Sequence, residues 1–181
     1  MNFTEYTVND KNLEEILLAL KSLDAVEAVA LGGSRSTGEA DENSDYDIYV
    51  YCSEIPTGKT RENLLGKYCS VAEFGNHYWE SEDNTVMNNG TPVDIIYREI
   101  DRFGGYIDTV IKGGKAFNGY TTAFWHNIKN SKVLFDKTGT FTKFRDMVQI
   151  DYPENLRRAI IKNNRSLLSG KLPSYDRQIK K

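Results

Sequence analysis

Cysteine is scarce in this sequence, with only Cys52 and Cys69 among 181 residues. Two cysteines cannot form a disulfide framework, and the opening residues MNFTEYTVND lack the basic and apolar regions of a secretory signal. No apolar run approaches the roughly 18 residues that a membrane-spanning helix needs. We therefore expect a cytoplasmic protein with reduced cysteines and no membrane segment.

Proline and glycine are too few for a fibrous or low-complexity protein, since the chain has 4 prolines and 14 glycines. Hydrophobic residues make up 39% of the chain and charged residues 27%, which excludes the disordered class. The length suits one domain, or one domain with an added part. The composition is that of an ordinary globular protein.

The formal net charge of -3 conceals two halves of opposite sign. Residues 1–100 contain 7 basic and 19 acidic side chains, which gives -12, and residues 101–181 contain 16 and 7, which gives +9. A basic half can bind nucleic acid through its phosphates. Because residues such as Arg157 and Arg158 have the spacing of a solvated helix face, and no known nucleic-acid-binding motif accompanies them, we do not expect nucleic acid as the partner.

Hydrophobic periodicity predicts an α/β (α+β) fold. A small mixed β-sheet core with flanking helices is expected in residues 1–100, and a mostly helical part in residues 101–181. The expected strands of the core cover residues 25–31, 46–51, 70–80 and 91–98, with a turn at 88–90. The expected helices cover residues 12–23, 60–68, 100–112, 121–130, 141–150 and 153–168. A last helix begins at Pro173 and reaches Lys181 after barely two turns, so either it docks on the body or the natural domain continues further.

The strongest local motif is GGSRSTGEADENSDYDI, residues 32–48. A Gly-Gly-Ser turn after a strand lets backbone N–H groups approach an anion, and Ser34 adds a hydroxyl donor. Asp45 and Asp47 then open the next strand, where alternate side chains project from one face about 6.5 to 7 Å apart. Their like charges repel unless a cation lies between them.

A third carboxylate, Asp94, interrupts the apolar run VDIIY. An unpaired buried carboxylate would cost several kcal/mol, so this position needs a partner. If its strand lies beside that of Asp45 and Asp47, three carboxylates converge. Such a cluster suits two Mg²⁺ ions about 3.5 to 4 Å apart.

These residues resemble the DNA polymerase β-type nucleotidyltransferases over about residues 26–98. The similarity is greatest to small bacterial members, namely antibiotic nucleotidyltransferases and minimal nucleotidyltransferases. Two positions depart from the pattern: Thr37 stands where many minimal members have Arg, and Ile48 stands where Leu is common. The matching pattern is Gly33-Ser34-x-Ser36-x-Gly38, then five residues, then Ser44-Asp45-x-Asp47-Ile48, and later Asp94.

The resemblance implies a site that uses two Mg²⁺ ions and a nucleoside triphosphate. Asp94 would complete the shell of the catalytic ion or act as the general base, and Arg35 would either contact phosphate or remain solvated. The implied catalytic and metal-binding residues are Asp45, Asp47 and Asp94, and the implied nucleotide-binding residues are Gly33, Ser34 and Arg35.

Other features have ordinary structural interpretations. The segment DKTGT at residues 136–140 resembles the phosphorylated-aspartate signature of cation pumps, but 181 residues cannot contain their membrane helices, so we expect a turn beside a helix. His77 and His126 are expected to be structural histidines. An aromatic set could stack on a base or an acceptor ring, although we expect core packing: Tyr78, Trp79, Tyr120, Phe124 and Trp125.

The leading hypothesis is an enzyme that transfers AMP from ATP, or another nucleoside monophosphate from its triphosphate, to a hydroxyl of a small molecule. The resemblance suggests aminoglycoside or lincosamide antibiotics as acceptors. The alternatives are an antitoxin-like enzyme that transfers AMP to a protein, an RNA terminal nucleotidyltransferase, and an inactive nucleotide-binding module. Homodimer formation stays open at this stage.

Overall fold

The computed structural model describes residues 8–117 and 121–165. Six strands form one mixed sheet at its centre: β1 (Val26–Leu31), β2 (Tyr46–Cys52), β3 (Cys69–Asn76), β4 (Ser81–Met87), β5 (Pro92–Glu99) and β6 (Lys132–Asp136). Their order across the sheet is β3-β4-β5-β2-β1-β6. The central pair β2 and β5 is parallel, and the other described pairs are antiparallel.

Seven helices accompany the sheet in the described part of the chain. A 3₁₀ turn (Gly66–Tyr68) follows the third helix, and a π-helical segment (Ile107–Lys112) extends the fourth. None of the helices in residues 8–117 and 121–165 combines the length and the apolar character that a membrane span requires. The helices are α1 (Lys11–Lys21), α2 (Gly33–Thr37), α3 (Gly58–Leu65), α4 (Ile100–Tyr106), α5 (Ala123–Asn130), α6 (Thr140–Met147) and α7 over residues 154–165.

Helices cover both faces of the sheet, and each face has its own hydrophobic core. The first core contains α1 and the end of α3, whose contributions are Leu13, Ile16, Leu17, Leu20 and Leu65. The second core is formed by helices that follow β5, and their buried residues include Ile100, Phe103, Ile107, Trp125, Ile128, Phe141 and Leu156. The helices of the basic half therefore pack on one face of a sheet built mostly by the acidic half.

Strand alternation assigns the carboxylates to the second face. In β2, Ile48 belongs to the first core and Tyr49 to the second. Asp47 shares the parity of Tyr49, and in β5 Asp94 shares the parity of Ile96, which also belongs to the second core. Both acids thus lie on the face that the later helices cover.

The predicted fold class is confirmed, but two strands were not anticipated. The prediction of one strand over residues 70–80 is wrong, because β3 ends at Asn76 and β4 is a separate strand from Ser81 to Met87. The predicted turn at residues 88–90 is present, but it connects β5 to β4 and not to the strand expected over residues 70–80. In residues 101–181, β6 adds an edge strand beside β1. The segment KVLFD contains only three consecutive apolar residues, and so short a run cannot be told from a helix segment by periodicity alone.

The polar composition of β4, SEDNTVM, explains why it escaped prediction, since Asp and Asn are depleted in strands. Tertiary partners stabilise it instead. Asp83 is fully buried, lies 3.5 Å from the Arg61 guanidinium of α3, and accepts a 2.8 Å hydrogen bond from the Gly75 backbone N–H. The Thr85 hydroxyl donates to the Val93 carbonyl at 2.9 Å.

The expectation of core packing for the aromatic set is right for Trp125 and wrong for two of the others. Trp125 is buried and donates its indole N–H to the Val148 carbonyl. Tyr78 and Trp79, between β3 and β4, are 73% and 82% exposed. Phe124 is half-buried. Tyr120 and the predicted helix from Pro173 lie outside the described residues.

The segment DKTGT is a helix-capping turn. Asp136 ends β6, is fully buried, and accepts hydrogen bonds from the backbone N–H groups of Gly139 (2.9 Å) and Thr142 (2.8 Å). The Thr142 hydroxyl donates to the same carboxylate at 2.8 Å. This carboxylate therefore caps the first turn of α6 and is not a phosphorylation site.

We expect Asp136→Ala to lower the free energy of unfolding by about 2 kcal/mol, because it leaves buried donors at the start of α6 without an acceptor. Urea unfolding followed by circular dichroism measures this change. Asp151→Ala, at an exposed position, is the control and should change stability by less than about 0.5 kcal/mol. Equal stabilities of the two variants would contradict the capping role.

Candidate active site

The site is centred on two carboxylates that lie side by side on the parallel strand pair. The register of β2 and β5 places Asp47 opposite Asp94. Both side chains are half-buried. Asp45 lies immediately before β2, two residues from Asp47, so its charge adds to the same region. The structure therefore brings together the three acids that the sequence singled out.

The mutual repulsion of these acids is visible in the pKa of Asp47, which rises from 3.8 to about 6. Burial is the largest cause, because it disfavours the charged form, and the negative charges of Asp45 and then Asp94 add to it. In the metal-free protein, Asp47 therefore holds a proton under mildly acidic conditions. A bound cation would favour the charged form of Asp47 and so oppose this rise in its pKa.

Gly33 is required by the close approach of the Gly-Ser turn to Asp47. Its φ is +59°, and a Cβ at this position would lie 1.8 Å from Asp47 Oδ2. The neighbouring Gly32 donates its backbone N–H to the Asp47 carbonyl at 2.8 Å. A side chain at residue 33 would fill the space beside the carboxylate.

Ser34 follows Gly33 in α2 and is half-buried. Both residues line a small cleft of about 250 Å³, which His126, Asn127 and Asn130 of α5 close from the other side. Because α5 leads directly into β6, which pairs with β1, this cleft lies on the β1 side of the carboxylates. We refer to it as the polar cleft.

Arg35, the third residue expected to bind nucleotide, uses its guanidinium in contacts with other residues of the protein. Its Nε donates to the Asp45 carbonyl at 2.9 Å and to the Ser44 carbonyl at 3.1 Å, and its Cζ lies 4.1 Å from the centre of the Tyr46 ring. Arg35 thus holds the loop that leads into β2 and fixes the backbone of Asp45. The sequence alone could not reveal these local bonds.

Two asparagines that the sequence did not single out extend the site across the sheet. Asn84 of β4 lies opposite Asp94 and donates a 3.0 Å hydrogen bond to Asp94 Oδ1. Asn76 of β3 in turn donates to Asn84 Oδ1 at 2.8 Å. Asn84 lies two residues after Glu82 and therefore on the same side of β4, but this alternation is informative only if β4 is known to be a strand. Sequence periodicity did not predict β4.

The donor set fits a divalent cation, although the acids do not form a closed set of ligands. Within the described ranges, no three Asp, Glu, His or Cys side chains stand in an arrangement ready to hold a metal ion. The chemistry of the residues still suits Mg²⁺, which prefers carboxylate oxygens. The raised pKa of Asp47 and the space that Gly33 leaves beside its carboxylate both favour a cation there.

A mixed sheet with a Gly-Ser turn beside carboxylates on adjacent strands is an arrangement that suits an enzyme acting on phosphate groups. The chain matches the family model described as a nucleotidyltransferase domain over residues 13–117, which include every expected site residue. It therefore belongs to the nucleotidyltransferase domain family and is a nucleotidyltransferase enzyme. The resemblance to the DNA polymerase β-type superfamily is confirmed at this level. A search of the curated proteins found no match.

Membership in this family establishes the general reaction. The enzyme transfers a nucleoside monophosphate from a nucleoside triphosphate, and enzymes of the family generally use a divalent metal ion. The six expected site residues fall between β1 and β5, and five of them lie within the segment from Gly33 to Asp47. The family match carries no information about the acceptor.

The raised pKa of Asp47 predicts a distinctive pH dependence of stability. Because the folded protein holds this proton more tightly than the unfolded chain, the metal-free protein should lose stability as the pH rises from 3.8 through about 6. Asp47→Asn cannot ionise and should therefore be more stable than the original protein at pH 7.5, with the difference vanishing at pH 4. Thermal unfolding in EDTA measures both values.

Asp41→Asn is a control whose expected effect on stability at neutral pH has the opposite sign. The pKa of Asp41 is lowered, first by the hydrogen bond from the Asn43 backbone and then by that from the Ser44 hydroxyl. Its stabilising effect is therefore present at neutral pH and is lost as the pH falls. If Asp47→Asn is less stable than the original protein at pH 7.5, the inferred repulsion between Asp47 and the neighbouring acids is contradicted.

Proposed function

We propose that this enzyme transfers AMP from ATP to a hydroxyl of a small molecule and releases pyrophosphate. The single observation that carries the proposal is the in-register pair of Asp47 and Asp94 beside the Gly33–Ser34 turn. Two acids on adjacent strands supply metal ligands, and the turn supplies a close approach for phosphate. The other nucleoside triphosphates are alternative donors.

In this proposal, Asp45, Asp47 and Asp94 hold two Mg²⁺ ions. These ions would neutralise charge on the triphosphate and on the attacking and leaving oxygens. Gly33 and Ser34 bind phosphate oxygens through backbone N–H groups and the Ser34 hydroxyl. Arg35 acts beside the nucleotide by holding the loop that carries Asp45.

The proposed chemistry is an in-line displacement at the α-phosphorus. The acceptor hydroxyl oxygen forms a bond to the α-phosphorus, and the bond from this phosphorus to the oxygen that bridges to the β-phosphate breaks. The electron pair of the broken bond leaves with pyrophosphate. The hydroxyl proton passes to a base, and Asp94 can serve in this role if it is not fully used as a metal ligand.

The acceptor class is the finer part of the proposal. An aminoglycoside or lincosamide antibiotic is the acceptor suggested by the resemblance to antibiotic nucleotidyltransferases, and the setting we propose is the cytoplasm. Transfer to a protein hydroxyl is the second candidate. Transfer to RNA and an inactive nucleotide-binding module are less well supported, because the acids are intact and the basic helices carry no known nucleic-acid-binding motif. A homodimer is compatible with each of these functions.

We expect pyrophosphate release to require Mg²⁺ and to fall by about 10²-fold or more in Asp45→Asn, Asp47→Asn and Asp94→Asn, because each change removes a charged metal ligand. A screen with labelled ATP, then the other triphosphates, against aminoglycosides, lincosamides, RNA and lysate proteins would identify the acceptor. Asp24→Asn, at an exposed position, is the control and should keep full activity. Unchanged rates in the first two variants would exclude the metal assignment.

Asn84→Ala should reduce kcat by about 10-fold with little effect on the KM for ATP, because Asp94 loses the hydrogen bond that orients it. Steady-state kinetics separate the two parameters. Asn84→Asp is expected to be more damaging, because it replaces the donor with a fourth negative charge beside the site. Asn88→Ala, at an exposed position in the β4–β5 turn, is the matched control. A kcat equal to that of the original protein would show that Asp94 needs no such support.

A further inference from the structure

A second cleft lies on the opposite side of the carboxylates from the polar cleft. It has a volume of about 340 Å³ and is formed by β5, the residues that open β4, α4 and α5. In the sheet order, β4 and β5 lie on one side of Asp47, whereas β1 and the polar cleft lie on the other. The two clefts therefore lie toward opposite sides of β2 in the sheet.

One residue that lines this second cleft, Arg98, lies on the same face of the sheet as the acid site. Asp94, Ile96 and Arg98 alternate along β5 and share that face. Arg98 is four positions after Asp94, a distance of about 13 Å at the usual strand rise. A small molecule of one or two rings can span this distance.

Five of the eleven residues that line this second cleft are aromatic, and we refer to it as the aromatic cleft. Trp79 is 82% exposed at its mouth, and Phe124 and Tyr106 pack edge to face with their ring centres 5.0 Å apart. Such a set of ring faces binds planar groups by stacking. The five aromatic residues that line the cleft are Trp79, Tyr97, Phe103, Tyr106 and Phe124.

The charged residues of the aromatic cleft are paired with one another. Arg98 donates to both carboxylate oxygens of Glu80, from Nε and from Nη2, each at 2.7 Å. Arg102 lies 2.6 Å from Glu99. Because each positive charge has a negative partner, the lining has no net charge that would attract a polycation or a polyanion.

The Arg98 guanidinium is also built into the wall. Its Cζ lies 4.4 Å from the centre of the Tyr49 ring and 4.6 Å from that of Phe124, and the residue is only 7% exposed. A guanidinium held between two rings and a bidentate carboxylate cannot easily turn toward a ligand. Arg98 therefore stabilises the wall of the cleft, and the ring faces are the groups that recognise a ligand.

We propose that the aromatic cleft binds the acceptor, and that this acceptor is an uncharged small molecule with a planar ring and a hydroxyl group. The inference rests on the proposed function, since it takes the leaving pyrophosphate to lie at Gly33 and Ser34. In an in-line displacement the attacking oxygen enters opposite the leaving group. The acceptor hydroxyl therefore arrives from the β5 side, where the aromatic cleft lies.

This assignment makes a polycationic aminoglycoside a poor fit. Such a molecule needs a surplus of carboxylates along its binding surface, and the cleft carries two that are both paired with arginine. A ring-bearing acceptor would instead stack between Trp79 and Phe124. Its ring would contribute affinity while its hydroxyl reaches toward Asp94.

The first test measures binding without nucleotide or catalysis. The probes are 4-nitrophenyl β-D-glucopyranoside and methyl β-D-glucopyranoside, which share their hydroxyl groups and differ in the ring, with kanamycin as the cationic probe. We expect the nitrophenyl compound to bind at least about 10-fold more tightly than the methyl compound in isothermal titration, and to quench tryptophan fluorescence. Equal binding of the two glucosides, or tighter binding of kanamycin that depends on Trp79, would overturn the proposal.

Paired variants assign the binding to the cleft. Trp79→Ala should weaken the nitrophenyl compound about 10-fold, and Phe124→Leu should weaken it on the other wall without emptying the half-buried position. Tyr78→Ala is the matched control, because Tyr78 is the neighbouring residue, is 73% exposed and does not line the cleft. An equal effect of Trp79→Ala and Tyr78→Ala would overturn the assignment.

Kinetics distinguish the acceptor from the base of the nucleotide, which is also a planar ring. With an acceptor found in the labelled-ATP screen, Trp79→Ala should raise the KM for the acceptor about 10-fold and leave the KM for ATP unchanged. A rise in the KM for ATP alone would assign the cleft to the base and overturn the proposal. If the screen yields no labelled product, the proposed function fails, whereas the binding test still decides the nature of the cleft.

Discussion

The parallel pairing of β2 with β5 is the constraint on which the site depends. Its register puts Asp47 beside Asp94 at the centre of the sheet, where partial burial and neighbouring negative charge disfavour ionisation of Asp47. Such a pair persists only if the surrounding structure holds it and a proton or a cation neutralises it. Gly33 provides the space beside Asp47, and the hydrogen bond from Asn84 orients Asp94. The neighbouring strands and the Gly-Ser turn are thus organised around one strand pair.

The division of charge along the chain acquires a structural meaning from the two helical layers. The acidic half builds five of the six strands and carries all three acids. Helices of the basic half pack on the face of the sheet that bears those acids. In the proposed function, a triphosphate approaching this face would meet acids that hold metal ions and a helical layer with an excess of positive charge. Residues of this layer line both clefts, with Phe124 in the aromatic cleft and His126, Asn127 and Asn130 in the polar cleft.

Local chemistry was predictable wherever residue type and spacing were sufficient. The periodic leucines of α1, the apolar runs of β1 and β2, and the Asn-Asn-Gly turn at residues 88–90 each specify one conformation. Where long-range partners decide, prediction failed. The strand β4 is polar and depends on the buried contact between Asp83 and Arg61, and β6 pairs with a strand about a hundred residues earlier in the chain. The exposure of Trp79, expected in the core, follows from the turn between the two strands that replaced the single one predicted.

The sequence by itself determined which residue types could perform the chemistry: the Gly-Ser turn, Asp45, Asp47 and Asp94 at spacings that resemble one superfamily. Those features are local, and strand alternation alone predicts on which side of a strand each acid lies. Only the tertiary structure decided that Asp47 faces Asp94, that Asn84 supports it, and that Arg35 holds a loop through backbone carbonyls. The same holds for the aromatic cleft. Register, strand order and cavity shape arise from contacts between distant segments, which no local pattern records.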